Sequence, residues 1–215
     1  AVAAGGIFRD LAEQGRDHGT TATLTELHRF ADAAEGAATL AVRDGDQAAL
    51  EHYIEHGRVH SGDLGTSSER AYAAWKADRD AGKTSLLLAA TRDTVLELNQ
   101  WVRQDRLDTL DSPPGREVDL ADGTRASHGD LVVTRRNDRS LRAPDGAWVK
   151  NGERWRVLTV HPDGSVAVQR HQGRQGRSSI PVTLPAAYVA QHLQLGYAST
   201  IPGPRVPPST PPTPC

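Results

Sequence analysis

The chain changes its periodicity at Asp111–Gly115, DSPPG, and that switch limits the folds open to it. Paired prolines followed by a glycine continue neither a helix nor a central strand, so two regimes meet there. Upstream, Ile7, Phe8, Leu11 and Ala12 predict a short helix within residues 5–14, and ATLTEL at 22–27 reads as a strand. An alanine-rich helix follows over Ala33–Arg43, then a helix over 47–56 with Asp46 as N-cap and Gly57 as its stop, and a short strand over 58–61. A helix over about 68–81, the apolar run SLLLAAT and a helix from Arg92 to about Leu107 then repeat a helix, strand, helix rhythm, which is α/β alternation. Downstream, EVDL, DLVVT, WRVLTV, SVAVQR and SIPVTL are short alternating segments between DG and NG turns, the pattern of a small β-barrel. PAAYVAQHL and LGYASTI return to the first style, so the β unit reads as an insertion in an α/β domain.

At 215 residues and 37% hydrophobic content the chain supports one core, or one core with a small satellite. Its formal net charge of -2 gives no global attraction for nucleic acid, so any such contact must come from local basic patches. Cys215 is the only cysteine, which excludes internal disulfides and cysteine-based metal sites and fits a reducing cytoplasm. No run is long and apolar enough to span a bilayer, and the N-terminus has no leader pattern. The sequence contains no methionine, and after Ile201 it passes into PGPRVPPSTPPTPC, which no globular core absorbs; it reads as a fragment.

Four groups of residues carry possible chemistry. Gly82, Lys83 and Thr84 have the end of a phosphate-loop pattern, but Ala77 stands where its first glycine belongs and the residues close a helix rather than open one. A helix C-terminus is the plainer account. His52, His56 and His60 recur every fourth residue, yet lack a further ligand and read as a solvated helix face. Arg29 follows the strand ATLTEL, where α/β sheets place ligands, and its fork suits phosphate oxygens as well as a surface salt bridge. VTRRNDRSLR (133–142) and WVKNGERWR (148–156) interleave cations with Trp148 and Trp155, which suits single-stranded nucleic acid, although Trp155 also fits a core position.

These residues resemble a known family. AVAAGGIFRDLAEQG, TLTELHRF, SLLLAATRDTVLELNQWVR, GTRASHGDLVVTRRNDRSL, WVKNGERWRVLTV and LPAAYVAQHLQLGYASTI are similar, in this order, to the helicase portion of conjugative relaxase–helicases of the TraA, TrwC and TraI kind. RecD-like superfamily-one helicases that move 5′ to 3′ are more distant relatives. The resemblance covers about residues 1–201 and implies a RecA-like second motor domain over 1–111 and 185–201, with an SH3-like β-barrel inserted at 116–184 and a disordered tail at 202–215. It also implies that Arg29 acts catalytically on the γ-phosphate of ATP, and that Thr91, Arg135, Arg136, Lys150, Arg154 and Thr200 hold single-stranded DNA.

In the family LGYAST continues as T-[VI]-H-R-A-Q-G, whereas here Ile201 is followed by proline. Restoring one base after its codon lets a neighbouring frame read HRAQGSTVDTAHTL, so a frameshift is expected at the tail. The 215 residues contain neither the phosphate loop nor the acidic magnesium motif. ATP and Mg2+ therefore belong to the parent, whose first motor domain is the expected partner, and this chain alone is expected to bind neither cofactor and to be inactive. Rival expectations are a non-enzymatic module that binds DNA or a peptide, and an inert product of a decayed gene.

Overall fold

The computed structural model describes residues 5–22, 30, 32–143, 146–171 and 180–201. Two compact units are present, one within residues 1–67 and one over Ser68–Pro202.

The first unit is helical. It contains α1 (Gly5–Asp17), α2 (Ala33–Asp44) and α3 (Ala49–Glu55). Asp32 caps α2, its carboxylate accepting from the Ala34 N–H at 2.9 Å, and Asp46 accepts likewise from Ala48 at 2.9 Å. Asp32 thereby satisfies an N–H that a helix start leaves open, whereas the Asp46 bond closes the turn before α3, whose N-cap is Ala48 and not the expected Asp46. Thr39 Oγ1 and Tyr53 Oη share a hydrogen bond of 2.8 Å that ties α2 to α3. Residues 58–61, expected as a strand, have no regular secondary structure and join no sheet. The strand expected at 22–27 lies largely outside the described residues.

The second unit takes α4 (Leu64–Asp80) from Ser68 onward, then β1 (Leu87–Ala89) and α5 (Arg92–Asp108). The β region follows as β2 (Val118–Asp119), β3 (Arg125–Ala126), β4 (Leu131–Thr134), β5 (Asp138–Arg142), β6 (Trp148–Val149), β7 (Arg154–Val160), β8 (Val166–Arg170) and β9 (Val182–Leu184). After it come α6 (Ala186–His192), β10 (Leu193–Leu195) and β11 (Ala198–Thr200). β11 returns to pair in parallel with β1, Leu88 opposite Ser199, so the chain leaves and re-enters the α/β layer as the periodicity switch requires. The β region itself is a mixed helix and sheet unit around a five-stranded antiparallel sheet in the order β10-β4-β7-β8-β9, with β2-β3 and β5-β6 as separate pairs. Its end strands β10 and β9 do not pair, so the SH3-like barrel is open. The sheet also runs past residue 184, since it takes its edge strand β10 from 193–195.

Val132, Val149, Trp155, Val157, Val166, Val168 and Leu184 are essentially inaccessible, and they continue into Leu98, Val102, Tyr197 and Ala198 as one core. β-branched residues at alternate positions suit a pleated face packed on one side. Trp155 is therefore core; its indole N–H donates to Thr134 Oγ1 at 3.4 Å.

Two polar devices join α5 to the rest. Asn99 is buried on α5, donates to the Leu195 carbonyl at 3.3 Å and accepts from the Ala198 N–H at 2.8 Å, so one side chain spans the bend between β10 and β11. Asp130 is wholly buried at the mouth of β4. It accepts from Arg103 Nε at 3.1 Å, Arg106 Nε at 2.8 Å, Ser127 N at 2.8 Å, Ser127 Oγ at 3.2 Å and Tyr197 Oη at 2.6 Å. A carboxylate is tolerated in a core only when it is paired and its lone pairs are filled, and here both conditions hold. At Gly196 the chain passes so close to β4 that an added Cβ meets the Val132 carbonyl carbon at 2.8 Å.

Candidate functional site

The parallel pair ends at Ala89 and Thr200, and α5 starts three residues beyond the end of β1. Beyond these ends lies a cavity of about 490 Å³, lined among others by Arg92, Asp93, Asn99, Asp122, Arg135 and Thr200. Thr91 caps α5, its hydroxyl accepting from Thr94 N at 3.1 Å and sharing 2.8 Å with Thr94 Oγ1. The first turn of this helix thus adds positive potential beside Arg92, the usual consequence of aligned peptide dipoles.

Arg135 leaves the end of β4, and its Nε donates to Gln194 Oε1 at 2.6 Å. Burial, and then the neighbouring Arg92 charge, pulls its guanidinium below the ordinary arginine value, and burial does the same to Arg154. Neither forms an ion pair with a carboxylate among the described residues, although Asp122 and Asp93 line the same cavity as Arg135. Cations without a paired carboxylate are stabilised by any anion that reaches them. Arg154 is oriented by a 2.9 Å hydrogen bond from Nη2 to Ser199 Oγ on β11.

Of the residues expected to hold DNA, the structure brings Arg135 and Thr200 to one cavity and sets Thr91 at its helical edge. Arg154 lies in a neighbouring hollow. Arg136 stands apart, with Nη1 3.2 Å from His192 Nε2. Lys150 lies 5.4 Å from the Trp148 ring centre, and Arg139 covers the same ring at 5.6 Å. Arg29 falls outside the described residues. Arg92 was missed by sequence reading. Its signal was its place at the first helical position after a strand, where a cation meets whatever the sheet edge binds.

Gly82 and Lys83 do not open a helix as a phosphate loop does. Gly82, at a φ of 74°, closes α4, with its N–H on the Arg79 carbonyl and that of Lys83 on the Asp78 carbonyl. Lys83 Nζ is held by the Asp78 carboxylate at 3.0 Å, so these residues form a helix stop and not a phosphate cradle. Among the described residues no cluster of three or more acidic or histidine side chains is arranged for a metal, and the His52 and His56 rings simply lie against each other, 4.3 Å between centres. No described helix is long and apolar enough to cross a membrane.

Comparison with known proteins agrees with this layout. Residues 1–64 match the family described as AAA domain, and residues 118–194 match the Rv2311 SH3-like barrel domain. Over 134 residues the chain is 34% identical to the conjugal transfer protein TraA of Agrobacterium fabrum, an alignment covering 62% of this chain and 11% of that protein. The chain thus spans about a tenth of that relative's length. A helicase-type AAA stretch followed by an SH3-like barrel, with the TraA likeness, relates this chain to the conjugative relaxase–helicases.

Proposed function

We propose that this chain is the second motor domain, with its inserted barrel, of an ATP-dependent DNA helicase of the conjugative relaxase type, and that it holds single-stranded DNA at the edge of the β1–β11 pair. The observation that carries the reading is the meeting of Arg92, Arg135 and Thr200 around one cavity at the carboxyl ends of two parallel strands. Guanidinium forks and a threonine hydroxyl there match phosphodiester oxygens, and the half-buried Trp148 beside Lys150 and Arg139 offers a stacking surface close to the barrel's edge. Arg136, Lys150 and Thr91 extend the contact to neighbouring phosphates. Arg29 keeps the role that the resemblance gives it, charge stabilisation at a phosphoryl group bound by the first motor domain.

Fluorescence anisotropy with a labelled oligothymidylate of about 12 nucleotides tests the reading on the full chain. Affinity should fall steeply with salt, and Arg135→Gln should weaken it about fivefold and flatten the log–log salt slope by roughly 0.7, the value of one single-strand phosphate contact. No binding at low ionic strength, or an unchanged slope in the variant, overturns the assignment. ATP hydrolysis by the pure chain would show that the triphosphate cradle is not elsewhere.

A further inference from the structure

A second cavity lies at the opposite edge of the same parallel pair, where the chain enters β1 and β11. It encloses about 260 Å³ between the α4–β1 turn and the barrel, and its wall includes Trp75, Arg79, Lys83, Arg154, His171 and Tyr197. Lys83 is neutralised by Asp78. The other cations are not so matched: Arg79 lies over the Trp75 indole at 5.4 Å and Arg154 is fixed by Ser199, and neither pairs with a carboxylate among the described residues. His171 reports the resulting field. Burial, then the charges of Arg156, Arg79 and Arg154, hold its imidazole below its ordinary value, so protonated cationic company is unfavourable there until an anion arrives. A hollow lined by guanidinium groups, an imidazole and an indole edge, with its one lysine already paired, is built for a phosphate attached to something flat.

Arg154 connects this hollow to the first site, because it lines the hollow while its charge also acts on Arg135. The two edges are separated by a strand pair three residues long, about 10 Å, which is a short step for an extended nucleic-acid strand.

We propose that this cavity is a second subsite for a nucleotide phosphate of the same single strand, so that the strand runs from Thr200 and Arg135 past Arg154 to Arg79 and His171. The inference rests on the single-strand reading above and adds its path across the barrel side of the sheet. The test repeats the oligothymidylate titration on the full chain with Arg79→Gln, His171→Gln and Arg135→Gln, and uses Arg70→Gln, an exposed position on the same helix, as a control for charge alone. Arg79→Gln and His171→Gln are expected to weaken binding about fivefold each, Arg79→Gln to flatten the salt slope by roughly 0.7, and Arg70→Gln to do neither. If Arg135→Gln weakens binding and both cavity variants match wild type, the second subsite is overturned and the first site stands. If no protein binds the oligomer, the single-strand reading itself fails and takes the subsite with it. Thymidine 5′-monophosphate supplies the last arm: should it shift the Trp75 indole resonance while the oligomer does not, the cavity takes a free nucleotide and the strand path is wrong.

Discussion

Replacing Asp130 by alanine should be among the most damaging single changes in the second unit, and its cost follows from the geometry. The carboxylate has no exposed surface and ends five hydrogen bonds, from Arg103, Arg106, Tyr197 and two from Ser127. Removing one partner of a buried ion pair costs about 3–5 kcal/mol, because the remaining charge stays desolvated. Arg103 and Arg106 are partly exposed, 15% and 22%, and water recovers some of that loss. Tyr197 and Ser127 are buried, and each donor left unpaired adds about 1–3 kcal/mol, though losses within one network do not sum. A net destabilisation of about 4 kcal/mol is the expected result. For a chain of this size 1 kcal/mol is worth about 3 °C, so Tm should fall by about 12 °C in far-UV circular dichroism melts. The companion Asp119→Ala removes an exposed pair with Arg125, 85% exposed at the carboxylate, and should change stability by less than about 0.5 kcal/mol. A drop below about 3 °C for Asp130→Ala would mean that α5 and the barrel are not held together by this carboxylate, and the packing argument would be refuted.

Gly196→Ala places a Cβ 2.8 Å from the Val132 carbonyl carbon and 3.1 Å from both Val132 O and Val133 N, all backbone of a buried strand. That strand cannot yield as a side chain would, so urea unfolding should show a loss of about 1–3 kcal/mol, and a neutral result would contradict the close approach. His171 gives a pH prediction. Its folded value lies below the ordinary 6.5, through burial first and then Arg156, Arg79 and Arg154. The unfolded chain therefore takes up this proton first as pH falls. The stability it contributes is complete above about 6.5 and declines on acidification toward the folded value. Between about pH 7.5 and pH 5.5 the wild type should lose more stability than His171→Gln, and parallel profiles would rule out this linkage.

Much of the helical plan was legible because it is written in neighbours. Asp32 caps the helix that begins at the next residue, and Gly82 ends α4 through bonds within five residues, whereas Asp46, expected as a cap, gives way to Ala48 at the start of α3. The short strands of the β region were likewise announced by alternation and by DG and NG turns. The expected strand at 58–61 failed for the converse reason: a strand is stable only with a partner, and four residues cannot say whether one is near. The site was read in part. Arg135 and Thr200 were singled out through family likeness, and the structure sets them around one cavity, whereas Arg92, Asn99 and the Asp130 network were not anticipated. Arg103 and Arg106, three residues apart beside the buried Leu98 and Val102, were a usable sign, since two cations on a core-facing helix side call for a buried carboxylate.

By itself the sequence determined where most of the helices and the short β segments form, where the chain changes from one regime to the other, and which family it resembles, because periodicity, caps and turns act over a few residues. Only the tertiary structure decided that β11 lies against β1 across about a hundred intervening residues, that β10 joins the barrel sheet, and that Arg92, Arg135 and Thr200 share a cavity. Pairings at that separation depend on which surfaces remain to be buried once local structure has formed, and no short window of residues contains that information.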